Sequence, residues 1–180
     1  MITICQGAND RKADIVTLFT QVFSASEGEV EGQNIGALVT AILRENSDDQ
    51  LQIFTAEEGE ELVAAVIFSP MPYDADDRTV YILSPMAVAT ERQKRGIGQS
   101  LISHGLSVLR QMGVDVAVTY GDPDYYSRTG FIPVDTETVP APFPLQYPHG
   151  WLAQSLAAKE LQPLRGQPRC VSALSDPAIW

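Results

Sequence analysis

Cysteine, histidine and basic residues are all scarce in this chain of 180 residues. The two cysteines, Cys5 and Cys170, sit far apart in apolar stretches. That spacing fits no metal-binding pattern, so two ordinary buried thiols are expected, with no disulfide and no metal. Lysine and arginine number 12 against 23 aspartates and glutamates, a net charge of −11. General nucleic-acid binding is driven by neutralising phosphates with basic side chains, so this balance excludes it. The longest apolar run, Leu62 to Phe68, is too short to span a bilayer. Met1 to Gln6 lacks the basic and long apolar regions of a secretion signal, and a cytoplasmic location is expected. No repeat, no low-complexity tract and no Gly-Lys-Ser/Thr triplet of a P-loop occurs. What remains is an acidic chain, 44% hydrophobic, of a size that fits one domain over residues 1–180 with a full core.

Within this acidic background one stretch is basic and glycine-bearing: Arg92-Gln93-Lys94-Arg95-Gly96-Ile97-Gly98-Gln99-Ser100. It follows an apolar run, Val80 to Val88, that reads as a buried strand. It opens a run in which Leu101, Ile102, Gly105, Leu109 and Met112 recur at helical spacing, with Gly113 where the helix would stop. Glycines at a strand-to-helix junction let the backbone approach a ligand, and the helix start presents N–H groups and a partial positive charge to an anion. A dinucleotide fingerprint would need a third glycine at position 101, where leucine stands. The plainer alternative is a tight turn with a solvated basic face.

A second segment separates these readings. Val114 to Tyr120 reads as a strand, and Gly121-Asp122-Pro123-Asp124-Tyr125-Tyr126-Ser127-Arg128-Thr129-Gly130-Phe131 reads as a short helix. Asp122 is its N-cap, Pro123 its first helical residue and Gly130 its C-cap. Here the chain resembles the GNAT superfamily of acyl-CoA-dependent N-acyltransferases. Gln93-Lys94-Arg95-Gly96-Ile97-Gly98 matches the superfamily's coenzyme A loop, Gln/Arg-x-x-Gly-x-Gly/Ala. Tyr126-Ser127-Arg128-Thr129-Gly130-Phe131 matches its Tyr-x-Lys/Arg-x-Gly-Phe element. The wording of the second segment is most similar to a bacterial subgroup, the YhbS-like N-acetyltransferases. The resemblance covers about Gln50 to Val134.

The remaining pattern agrees with a mixed α/β fold. Ile2 to Cys5 suggests a strand, Asp10 caps a helix carrying Ile15, Leu18, Phe19, Val22 and Phe23, and Gly28 and Gly32 interrupt before a helix carrying Ile35 to Leu43. Leu51 to Ala56 and Leu62 to Phe68 flank an acidic turn and read as a hairpin. This order implies a sheet layered with helices; the resemblance implies a central, mostly antiparallel sheet with helices on both faces. From Pro140 onward, four prolines stand among Phe143, Leu145, Tyr147 and Trp151, which predicts an ordered loop. A helix over Leu152 to Leu161 and a strand over Arg169 to Leu174 are expected to complete the domain through residues 140–180.

By the resemblance, Gln93, Lys94, Arg95, Gly96, Ile97, Gly98, Gln99 and Ser100 would hold the pyrophosphate of acetyl-CoA. Met86, Ala87 and Val88 would pair through main chain with its pantetheine arm, and Tyr126 would act as acid beside the sulfur. The implied activity is acetyl transfer to a primary amine of an unidentified small molecule or protein, with no metal. Many family members use a glutamate on the strand before the loop as base, and Tyr81 to Val88 contains none; Glu91, His104 and His149 are the remaining titratable groups considered. The missing glutamate motivates an alternative, a non-catalytic acyl-CoA sensor on the same fold. A homodimer is compatible with the sequence.

Overall fold

The computed structural model describes all 180 residues. Its elements run β1 (Ile2–Gln6), α1 (Lys12–Glu27), α2 (Glu29–Glu45), β2 (Gln52–Glu58), β3 (Glu61–Pro70), β4 (Val80–Val88), α3 (Ile97–Gln111), β5 (Val116–Tyr120), α4 (Pro123–Tyr126), β6 (Ile132–Pro133) and β7 (Trp151–Ser155). This is a mixed α/β fold, a seven-stranded sheet in the order β1-β2-β3-β4-β5-β7-β6 with four helices. The β1–β2, β2–β3, β5–β7 and β6–β7 ladders are antiparallel, and β4–β5 is parallel. The chain divides into two compact units, Met1–Phe68 with Pro85–Gly105, and Ser69–Ser84 with Leu106–Trp180.

In the first unit, β1, β2 and β3 form an antiparallel meander whose β2–β3 hairpin turns through Gly59, at φ +68°. β3 is buried along nearly its whole length, Val63 to Phe68 being fully inaccessible. Helix α3 comes very close to it at Gly105, where a Cβ would meet Phe68 at 2.7 Å and Phe54 at 3.1 Å. Helices α1 and α2 likewise meet across Gly32 and Gly36. A Cβ at Gly32 would run into Ser24 and the carbonyl of Thr20, so Gly32 lies inside α2 as a packing residue and does not interrupt the helix. Asp10 is not the cap of α1. It sits at φ +61° in the preceding turn, and Arg11 flanks the helix without a side-chain cap bond.

In the second unit, β5 is the central strand, paired with β4 from Val80↔Val116 to Leu83↔Thr119 and with β7 from Val116↔Ser155 to Tyr120↔Trp151. The expected helix over Leu152 to Leu161 is therefore wrong. Trp151 to Gln154 are buried on both faces, and the ladder to β5 outweighs the weak helical preference of this stretch. Arg169 to Leu174 is not a strand either. Pro168 makes an isolated bridge to Tyr73, and only Ser172–Leu174 is regular, as a single 3-10 turn. Met112, expected on the apolar face of α3, lies past the helix end and is 49% exposed.

The 72–78 and 162–168 segments are knotted by polar bonds. Arg78 donates to both oxygens of Asp76, at 2.9 and 2.7 Å, and to the carbonyls of Gln162 and Pro163. The Asp76 side chain is only 4% exposed, and this guanidinium holds its carboxyl far below the usual range.

Candidate active site

The basic loop begins where β4 ends. A 3-10 turn, Thr90–Arg92, leads into Gln93, Lys94 at φ +61° and Gly96 at φ +78°, and α3 starts at Ile97. Two left-handed residues so close together turn the chain sharply. A non-glycine residue in that region is strained, which makes Lys94 notable. The carbonyl of Gly96 accepts the first helical bond, from Ser100 N–H at 3.0 Å. The N–H groups of Ile97, Gly98 and Gln99 then have no intrahelical partner and point along the axis out of the helix start. Gln93, Lys94, Arg95 and Gly96 are exposed, Ile97 and Gly98 are buried, Gln99 is half-buried and Ser100 is exposed. A Cβ at Gly96 would meet nothing within 4 Å, so the space over the loop is open.

The three cations of this segment are not equivalent. Arg92 is chelated by Glu58 at 2.7 Å and Glu61 at 3.3 Å, both on the β2–β3 hairpin. Arg95 reaches Glu58 only at 3.8 Å, and Lys94 forms no ion pair. Arg92 thus pins the loop to the hairpin, leaving Lys94 and Arg95 as the available positive charges. The acidic hairpin turn was visible in the sequence, but its position beneath the loop was not.

Just upstream, Met86 and Val88 are half-buried while Ala87 between them is buried, so the two share a face. Gln93 donates through Nε2 to the Val88 carbonyl at 3.1 Å, tying the loop to the strand end. The β4–β5 ladder ends at Leu83↔Thr119. Pro85 follows, which has no N–H to continue a ladder, and β5 itself ends at Tyr120 before Gly121 and Pro123.

Tyr126 is the last residue of α4. Asp122 caps that helix, accepting from Asp124 N–H at 2.9 Å with Pro123 at the first position, and Gly130 terminates the following turn at φ +95°. The ring of Tyr126 lies edge-on to Phe131 at 5.9 Å and to Tyr125 at 5.2 Å. It also rests on the backbone of Gly121, where a Cβ would meet it at 2.7 Å. Its hydroxyl meets that of Thr119, which is fully buried and donates to the Leu83 carbonyl at 3.1 Å. Burial pushes the Tyr126 phenol well above its ordinary range, with the Thr119 contact opposing in part. Tyr125 is also raised by burial.

The structure therefore gathers the loop residues and the end of β4 in the first unit, and sets Tyr126 in the second beside Thr119 and Gly121. Among the other titratable groups, Glu91 is exposed in the 3-10 turn, and His104 is exposed on α3 with its ring against Phe54 at 5.6 Å. His149 lines a hollow of about 480 Å3 in the second unit, together with Tyr120, Asp122 and Tyr147. The sequence marks Tyr120 only as a strand end and Tyr147 only as a loop aromatic, not as walls of one hollow. The ring of Tyr120 is held by Trp151 and Trp180, and no local pattern announces that.

The chain is similar to several known proteins. A family model described as acetyltransferase (GNAT) family matches residues 14–131. The uncharacterized N-acetyltransferase YjhQ of Escherichia coli strain K12 is 34% identical over 139 residues, covering 74% of this chain and 76% of that protein. The uncharacterized N-acetyltransferase YhbS of the same strain is 32% identical over 89 residues, or 49% of this chain and 53% of that protein. A crystal structure of Escherichia coli YhbS in complex with CoA superposes with a TM-score of 0.80 at 24% identity, covering 97% of this chain and 92% of that one. A GNAT family acetyltransferase from Brucella melitensis in complex with acetyl-CoA gives 0.69 at 24% identity, covering 96% and 97%. No helix of this chain is long and apolar enough to cross a membrane.

Proposed function

This chain belongs to the GNAT acetyltransferase family, and from that premise we propose that it moves an acetyl group from acetyl-CoA directly to a primary amine of a small molecule or protein, in the cytoplasm and as a single catalytic domain. The observation that carries this reading is the junction of β4, the basic loop and α3. Its left-handed Lys94 and Gly96 and open space over Gly96 leave main-chain donors at a helix start facing outward. A diphosphate fits that donor set. The pyrophosphate would lie on the free N–H groups of Ile97, Gly98 and Gln99, within the loop from Gln93 to Ser100, with Lys94 and Arg95 alongside. The edge of β4 at Met86, Ala87 and Val88 would then pair through main chain with the pantetheine amides as an added strand.

Transfer requires that the amine lose a proton, that its nitrogen bond to the acetyl carbon, that the carbon–sulfur bond break, and that the sulfur gain a proton or a strong donor. Tyr126 Oη is suited to the last task. A free phenol titrates near 10 and a thiol near 8.5, and burial raises Tyr126 further. It therefore acts mainly by donating its single hydroxyl proton as a hydrogen bond to the departing sulfur.

The test is titration calorimetry with coenzyme A, followed by thiol release from acetyl-CoA with a panel of primary amines. Micromolar binding and thiol release above hydrolysis are expected. Absence of CoA binding would overturn the loop assignment. Binding without release for any amine would favour an acyl-CoA sensor, the reading that the lack of a glutamate in Tyr81 to Val88 keeps in view.

A further inference from the structure

The hollow in the second unit is built by long-range contacts. Gly121 N–H donates to the Gly150 carbonyl at 2.8 Å, and a Cβ on Gly150 would meet the Gly121 carbonyl at 2.8 Å, so two glycines let the 147–150 loop lie against the end of β5. Tyr147 N–H donates to the Tyr120 hydroxyl at 2.8 Å. Tyr120 itself is fixed by stacking on Trp180, with centroids 6.0 Å apart and planes 13° apart, and by the edge of Trp151 at 6.2 Å. At about 480 Å3 the hollow has the size of a small-molecule site. Gly121, one of its lining residues, also carries the ring of Tyr126 on its backbone, so the hollow lies next to the tyrosine assigned to the departing sulfur.

Its lining has a definite electrostatic character. Asp122 is the only acid in it, and no lysine or arginine lines it. Asp122 is exposed and forms none of the chain's ion pairs. Tyr147 is 62% exposed, unusually bare for a tyrosine, with the edge of His149 at 6.2 Å as its only aromatic neighbour. A bare aromatic face beside a carboxylate attracts a cation and offers nothing to an anion.

We propose that this hollow receives the acceptor, and that the acceptor is a small amine bearing a second positive charge at the end remote from the reacting nitrogen, held by the Asp122 carboxylate and the Tyr147 ring. This rests on the acetyl-transfer reading above and narrows its substrate class. Amines whose far end carries a carboxylate are rejected, because that end would face Asp122 with no cation to receive it.

Three probes of equal chain length isolate the far end: 1,4-diaminobutane, 1-aminobutane and 4-aminobutyrate, titrated calorimetrically into the full chain saturated with coenzyme A. The expected affinities fall in that order, with about tenfold or more between first and last, the scale of one cation–π or ion contact. Asp122→Asn keeps a good N-cap for α4 and should bring the three within about twofold of one another. Tyr147→Ala removes an exposed ring and should weaken the diamine alone. No measurable diamine binding, equal affinities in the unmodified chain, or a ranking untouched by both substitutions would overturn the inference. Thiol release measured in the same samples separates it from the broader reading. Selective diamine binding with no release from any amine strikes only the transferase, and release with an amine the hollow does not prefer strikes only the inference.

Discussion

In the first unit the groups left free are main-chain amides at the start of α3, flanked by one pinned arginine and two available cations. In the second they are rings and a carboxylate drawn from β5, the turn before α4 and the 147–150 loop. A main-chain site needs a particular backbone path and tolerates many side chains. A side-chain site needs particular residues and a scaffold that holds them, here two tryptophans and a pair of touching glycines.

This contrast can be broken by substitution. The largest expected effect is in the second unit. Trp151 is fully buried, donates through Nε1 to the Val139 carbonyl at 2.8 Å and supports Tyr120. Trp151→Ala should cost about 3–5 kcal/mol in denaturant unfolding. A loss below about 1 kcal/mol would mean that the ring stack does not hold the scaffold.

In the first unit Gly96→Val places a β-branched residue at φ +78°. The strain of about 1–3 kcal/mol should appear as coenzyme A binding weakened tenfold or more, with little change in melting temperature. Unaltered affinity would refute the main-chain account.

Tyr126→Phe keeps the ring on Gly121 and against Phe131 and removes only the hydroxyl. Turnover should fall by about 10- to 100-fold, with coenzyme A affinity within about twofold. An equal loss in both would assign the hydroxyl to binding.

The smallest effect concerns acid. The Asp76 carboxyl is depressed chiefly by its hydrogen bonds to Arg78. A carboxyl whose folded pKa lies below its unfolded one stabilises the protein above the ordinary carboxylate range, and that contribution is lost as pH falls below about 4. Asp76→Asn should therefore lower stability at neutral pH and flatten its decline below about pH 4. A variant with the wild-type acid limb would remove Asp76 from that role.

How far each half could be read from the sequence follows from the same contrast. The loop was legible because its requirement is local: glycine at Gly96 where φ is positive, a buried turn at Ile97 and Gly98, and the α4 cap of Asp122 and Pro123. The hollow was not. Tyr120 and Tyr147 lie 27 residues apart and meet only through the β5–β7 ladder and the Gly121–Gly150 contact. Residues 151–155 misled for a related reason, since a strand buried on both faces shows no alternation to set against a helix. Gly32 misled because a glycine inside a helix looks like an interruption until the partner helix that needs the space is known.

The chain has two tryptophans, and both rings lie within 6.2 Å of Tyr120, which lines the hollow. Excited at the red edge of indole absorption, the whole emission of this protein originates beside that hollow. A compound entering it should alter intensity or wavelength without any attached dye. The molecule carries its own optical reporter for that hollow.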